Sequence, residues 1–308
     1  MQRQTQTTAI NIGEFLKNNL AEEISKFSCK GKITSGFSNL DEVTDLYPGM
    51  YVLGGTSSLG KTTYLHQMSD QIAKTGRKVI YFSLEQTALE LVSKSLSRTM
   101  GLMNASEALT SLKIREGIRN SLLMDAINEY SSYASNVTVV EGGFSTNVND
   151  IVNYVCTYIK ENECNPVVVV DYLQILAPID HRMSPKDAVD YNVRILKMLQ
   201  LKYKLVILII SSFNRSNYTA QIDFESFKES GGIEYTADVV WGLQLKIVDS
   251  EGFEKRGIDD KRKAIRDAKA EIPRKIELVC LKNRFGQSSY QCSYDFYPQV
   301  DLFKPRFD

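Results

Sequence analysis

The chain has 308 residues with 37 basic and 37 acidic side chains, 43% hydrophobic and 24% charged, the profile of one large α/β domain or two smaller ones. Zero formal net charge excludes a generally basic nucleic-acid binder, so such contacts would have to come from locally placed Lys and Arg. Apolar runs stay short of the ~18 residues that cross a bilayer, and residues 1–7 are too polar for a signal peptide, so a cytoplasmic protein with no membrane partner is expected.

Ile12, Phe15, Leu16, Leu20, Ile24 and Phe27 recur at helical spacing and predict one amphipathic helix over Ile10 to Phe27, with a turn-rich stretch after it. Apolar runs at Met50 to Gly55, Val79 to Ser83, Val137 to Val140, Val167 to Val170, Val206 to Ile210 and Val239 to Leu245 predict strands, several buried on both faces. Amphipathic stretches at Thr62 to Thr75, Thr87 to Thr99, Glu116 to Ala134, Val148 to Glu163 and Asp187 to Tyr203 predict helices between them. Thr87 and Glu90 have capping-box spacing, and Gly76 falls where a helix ends in a left-handed residue. This alternation predicts an α/β fold with a mainly parallel twisted sheet flanked by helices. Ile276 to Lys282 and Tyr290 to Phe296 read as a closing antiparallel hairpin. Asp249 to Lys275, dense in both charge signs, reads as a solvated insertion in preference to a DNA-contacting arm. The five cysteines form no C-x-x-C pair and have only His66 and His181 beside them, so they read as reduced thiols rather than a zinc site.

Gly55, Gly60, Lys61 and Thr62 occupy the fixed positions of G-x-x-x-x-G-K-[ST], with Thr56, Ser57, Ser58 and Leu59 between them and Thr63 following. The motif lies between a predicted strand and a predicted helix, the context it requires. Glycines let backbone amides approach phosphates, the helix N-terminus faces the negative charge, Lys61 reaches the β and γ oxygens, and Thr62 ligates Mg²⁺. Asp171 ends the run of four valines from Val167, at the strand edge where open α/β sheets bind ligands, and reads as the second magnesium residue. Glu85 follows the strand Val79 to Ser83 at the same edge and reads as the base that polarises an attacking water.

Together these segments resemble the ATPase domain of DnaB-type replicative helicases, superfamily-four hexameric motors with a RecA-like core. Ile33 to Asp41 is similar to that family's I-P-T-G-F-x-x-L-D, Tyr81 to Glu85 to its Y-F-S-L-E, and Asp171 to Gln174 to its D-Y-L-Q. Glu229 to Glu234 with Ala237 to Val240 looks like E-S-G-x-I-E followed by A-D-V-V, and Lys282 to Gly286 like K-x-R-x-G. The resemblance implies a RecA-like P-loop NTPase core over residues 33–308, preceded over 1–32 by a linker helix that docks on the next subunit. It also implies Glu85 as catalytic glutamate, with Lys282 and Arg284 reaching the γ-phosphate of a neighbouring subunit. A guanidinium delivered by a partner chain is an established way to stabilise phosphoryl transfer.

The sequence departs from the family in three places. Ser212 replaces the Gln of S-Q-L-N-R thought to relay DNA state to the γ-phosphate, Lys228 replaces the Arg of R-E-S-G, and the amino-terminal collar domain is missing. The chain therefore reads as a minimal motor or a truncated one. DNA would thread the ring channel against Pro178 to Lys186, with Arg182 and Lys186, and against Asn214 to Phe224, with Arg215. The expected function is an ATP- and Mg²⁺-dependent hexameric DNA helicase motor moving on single-stranded DNA, with a primase or helicase loader as further partner. The alternatives are a recombinase or regulatory ATPase of the same fold, or a nucleotide-switched DNA-binding assembly protein that does not unwind.

Overall fold

The computed structural model describes residues 9–30, 32–214, 219–227 and 231–307. Arg215, Lys228 and Glu229 lie outside the described residues. The strands are β1 (Gly49–Gly55), β2 (Val79–Ser83), β3 (Val137–Glu141), β4 (Val167–Asp171), β5 (Val206–Ile210), β6 (Val239–Leu245), β7 (Arg274–Asn283), β8 (Gln291–Tyr297) and β9 (Leu302–Arg306). They form one sheet in the order β3-β2-β4-β5-β1-β6-β7-β8-β9. Pairs from β3 to β6 are parallel, and those from β6 to β9 are antiparallel.

The helices are α1 (Ile12–Asn18), α2 (Leu20–Lys30), α3 (Ser38–Asp41), α4 (Lys61–Lys74), α5 (Ala88–Met103), α6 (Ser111–Arg115), α7 (Ser121–Ala134), α8 (Val148–Asn162), α9 (Pro185–Tyr203), α10 (Gly231–Thr236) and α11 (Ile258–Ala270). Both faces of the central strands are covered, so strand residues alternate between two cores. Tyr51, Leu53, Val167, Val169, Leu208 and Ile210 pack with α4, α5 and α7 residues such as Tyr64, Met68, Leu91 and Tyr133. Met50, Val52, Val168, Val170, Ile207 and Ile209 face Val148, Ile151, Val193, Leu196 and Ile233 of α8, α9 and α10. Each fully buried aliphatic side chain of this kind contributes on the order of 1.5–3 kcal/mol.

The expected strands, capping box and Gly76 turn are all present; Gly76 has φ +84°. Four expectations need correction. The amphipathic stretch expected as one helix is two, α1 and α2, broken at Asn19, a residue type that disfavours helix interiors. Ile10, Ile12, Leu16 and Ile24 of the stretch remain exposed. The helix expected from Glu116 is instead α6 and α7, since Gly117 turns at φ +85° and Asn120 caps a fresh start by accepting from the Leu123 N–H at 3.0 Å. The closing hairpin is followed by β9, which is clasped to α4: Gln67 donates to the Phe303 carbonyl at 2.9 Å and accepts its N–H at 2.8 Å. Finally, the charged segment after Asp249 is not merely solvated. It contains α11, whose Ala264, Ile265 and Ala268 pack on the core, and it is anchored by buried Phe253 beneath Arg256 and Lys261.

Candidate functional site

The phosphate loop leaves β1, all of whose residues are buried, and enters α4. Gly60 is the N-cap of α4 at φ +91°, and a Cβ there would lie 3.0 Å from Phe303 and 3.1 Å from Phe296. Only glycine meets both conditions without strain. No side chain caps this helix, so its first amides face the loop. The Lys61 ammonium donates to the carbonyls of Gly55 at 2.9 Å and Thr56 at 3.1 Å. Burial pushes its pKa down to about 8; the carboxylates of Asp171 and Glu85 oppose that shift, and Lys269 adds to it.

Parallel pairing of β2 and β4 sets Ser83 beside Asp171, so both acids leave the sheet at the same edge. Asp171 is buried and accepts from the Tyr81 hydroxyl at 2.8 Å and from the Thr62 hydroxyl. Burial raises its pKa, while those two hydrogen bonds act against the rise. Glu85 is exposed just beyond, with its charge felt by Lys61, Asp171 and Tyr172. The structure therefore gathers Gly55 to Thr63, Asp171 and Glu85 in one place.

Lys282 and Arg284 are elsewhere. Lys282 donates to the Glu234 carbonyl at 2.6 Å, and Arg284 donates to the Asp238 carboxylate at 3.3 Å. Asp238 in turn accepts from the Met50 N–H at 2.8 Å, level with the start of β1. Gly55 lies five residue steps along the strand from Met50, roughly 17 Å at about 3.3 Å per step. Arg182 and Lys186 are exposed before and within the first turn of α9, and Arg182 forks onto Asp180 at 3.0 and 2.7 Å.

Four further residues shape the site, and none of them has a role assigned from its local sequence pattern. Tyr81 holds Asp171, and its phenol in a wholly buried strand was a readable signal, because such a hydroxyl needs a partner. Gln174 bridges the ends of β4 and β5, donating to the Ser211 hydroxyl at 2.8 Å and accepting from the Ser212 N–H at 3.2 Å. Lys269 and Arg274 reach the loop from α11 and β7, donating to the carbonyls of Ser57 at 3.2 Å and Ser58 at 3.1 Å. No local pattern announces that contact, since it spans more than 200 residues of sequence.

The family described as DnaB-like helicase C terminal domain matches residues 32–304. The replicative DNA helicase DnaB of Buchnera aphidicola subsp. Baizongia pistaciae (strain Bp) is 26% identical over 263 residues, covering 80% of this chain and 55% of that protein. The chain thus spans about half the length of this curated relative. Among solved structures, an ATPase domain matches with a TM-score of 0.76 at 22% identity, over 97% of this chain and 100% of the other. A DnaB-like replicative helicase, described with its interactions with primase, matches with a TM-score of 0.72 at 20% identity, over 97% and 67%. A KaiC-like protein of Pyrococcus horikoshii OT3 matches with a TM-score of 0.57 at 15% identity, over 90% and 99%. The three structures share the RecA-like fold of this chain; the family match, which runs over residues 32–304 and so includes the phosphate loop, is the more specific finding, and by it the chain belongs to the DnaB-like helicase C-terminal domain family.

Proposed function

We propose that the chain is an ATP-driven DNA helicase motor that assembles into a hexameric ring and moves on single-stranded DNA during replication. One observation carries the reading: the phosphate loop with Asp171 and Glu85 occupies one edge of the subunit, whereas Lys282 and Arg284 lie at the opposite end of β1. A single chain holds two half-sites that cannot meet, and a ring of copies would join them.

The donor set suits the groups this reading implies. The Thr62 hydroxyl and Asp171 carboxylate are hard oxygen ligands of the kind Mg²⁺ prefers, and the uncapped amides of α4 beside Lys61 suit a polyphosphate. Bound magnesium would neutralise charge on the phosphate oxygens. Lys61 then binds the β and γ oxygens, Tyr81 orients Asp171, and Glu85 accepts the proton of the attacking water. Arg284 and Lys282 of a neighbouring copy stabilise the charge that develops. Primase or a helicase loader is the further partner this reading implies.

Unwinding of a forked duplex tests the proposal. The wild-type chain should separate strands with ATP, Lys61→Ala should neither hydrolyse nor unwind, and Glu85→Gln should bind ATP while hydrolysis falls by about 10²-fold. Hydrolysis without unwinding would favour a nucleotide-switched assembly protein. Ser212, in place of the relay Gln, is the observation that keeps that second reading in view.

A further inference from the structure

Two carbonyls of the phosphate loop are held by cations that no phosphate-loop motif contains. Lys269, near the end of α11, donates to the Ser57 carbonyl at 3.2 Å, and Arg274, the first residue of β7, donates to the Ser58 carbonyl at 3.1 Å. Both are fixed from behind. The neighbours Ala268 and Ile265 seat α11 on the core. Arg274 stands opposite Phe296 in the β7–β8 register, with its guanidinium 5.9 Å from that ring. Phe296 stacks on Phe303 at 4.2 Å, and the two rings abut Gly60 of the loop itself.

A trans peptide plane points its C=O and the following N–H in opposite directions. The peptides between Ser57, Ser58 and Leu59 are trans, the cis bonds among the described residues being Asp171-Tyr172 and Ile272-Pro273. A cation that draws the Ser57 carbonyl outward therefore turns the Ser58 N–H inward, and one that draws the Ser58 carbonyl outward turns the Leu59 N–H inward. Inward-facing amides are what a loop of this kind offers to phosphate.

We propose that Lys269 and Arg274 are positioning residues for nucleotide binding, which pin the Ser57 and Ser58 carbonyls so that the loop's amides are aimed at the phosphates before the nucleotide arrives. The inference rests on the nucleotide-site reading above. The segment from Asp249 to Lys275 is then a brace for the loop, and the insertion gains a part in ATP affinity. The contribution is one of preorganisation, because an unbraced loop would have to be ordered by the ligand at the expense of binding.

The test is the split between affinity and turnover, made on the full chain with Lys269→Met, Arg274→Met and the double variant. The Kd for ADP and the KM for ATP should rise by about tenfold for each single change, as expected for loss of a charge-assisted hydrogen bond. Saturated turnover should stay within about threefold, since neither side chain reaches the reacting atoms. Lys269→Arg should restore affinity, and thermal melting of the partly exposed Lys269→Met variant serves as the folding control; that single variant carries the test if the double variant does not fold. Unchanged ADP affinity in Lys269→Met and Arg274→Met, while Lys61→Ala abolishes binding, would overturn the brace and leave the site intact. A fall in turnover at unchanged KM would overturn it as well. If Lys61→Ala also binds ADP like wild type, the nucleotide-site reading itself is wrong.

Discussion

Arg284 donates to the buried carboxylate of Asp238 at 3.3 Å, and the same carboxylate pairs with Lys197 and accepts the Met50 N–H. Asp238 thus holds the guanidinium at the foot of β1 while Lys61 sits beyond its head. The side chain of Arg284 stays 53% exposed, so it remains presentable to a neighbouring copy.

Complementation between variants follows from this separation. Arg284→Ala and Lys61→Ala chains should each lack ATPase activity alone. Mixed rings contain some interfaces pairing an intact loop with an intact Arg284, so activity should partly return on mixing. Full activity of Arg284→Ala as a monomer, or a dead mixture in which mixed rings are demonstrated, sinks the shared-site mechanism.

Tyr81 offers a second test. Its hydroxyl, 2.8 Å from Asp171, is one of the groups that counter the burial-driven rise of that carboxyl's pKa. Tyr81→Phe deletes one hydrogen bond to a buried carboxylate and little else, a loss worth about 1.5–3 kcal/mol for a bond to a charged group. Hydrolysis at limiting Mg²⁺ should fall by ~10-fold or more, whereas ADP affinity measured with a chelator present should hold. Equal loss under both conditions would show that Tyr81 supports the loop rather than the proposed metal ligand Asp171.

Much of this architecture is written in local patterns. Continuous apolar runs such as Val167 to Val170 identify strands buried on both faces, and the spacing of Gly55, Gly60, Lys61 and Thr62 locates the phosphate loop without reference to tertiary structure. What the patterns do not carry is long-range company. Lys269 looks like any charge on a solvated helix until the fold sets it beside Ser57. β9 was missed because Leu302 to Arg306 holds too few apolar residues to declare a strand, and its place depends on Gln67 clasping Phe303. Asp238 could be read only as part of a motif, because its partners Met50, Lys197 and Arg284 come from three separate segments.

His66 supplies a pH prediction. It is buried on α4 beside Tyr81 and Ser95, and burial lowers its pKa from 6.5 to about 3, against the pull of Asp70 and with help from Arg98 and Lys94. The folded chain keeps this ring neutral where the unfolded chain protonates it, so stability falls as pH drops from 6.5 toward 3 and is unaffected above that window. His66→Gln removes the proton linkage. Denaturant unfolding at pH 7 and pH 5 should show the wild-type stability changing by about 2 kcal/mol more than the variant's over that interval. Identical pH dependence would mean that His66 titrates alike in both states.

The last prediction concerns DNA and uses an ion pair at the proposed channel loop. Arg182 is held in a fork by Asp180, with its Nε 3.0 Å from Oδ1 and its Nη2 2.7 Å from Oδ2, and both side chains are solvent-accessible. Such a surface pair adds little to folding stability, but it occupies the donors that a DNA phosphate would need. Lys186, exposed on the first turn of α9, has no such restraint imposed by the Asp180 carboxylate. Binding to single-stranded DNA should therefore weaken with salt at a slope of about 0.7 per phosphate neutralised, and Lys186→Glu should lower both affinity and slope. Asp180→Ala should act in the opposite direction, releasing Arg182, tightening DNA binding and steepening the salt dependence by up to about 0.7, while Asp180→Ala combined with Arg182→Ala should lose that gain. Fluorescence anisotropy with an oligonucleotide across a salt series reads all four proteins. If Asp180→Ala binds no more tightly than wild type while Lys186→Glu still weakens binding, DNA passes Lys186 without reaching Arg182; if neither variant changes the slope, the strand does not run along this loop.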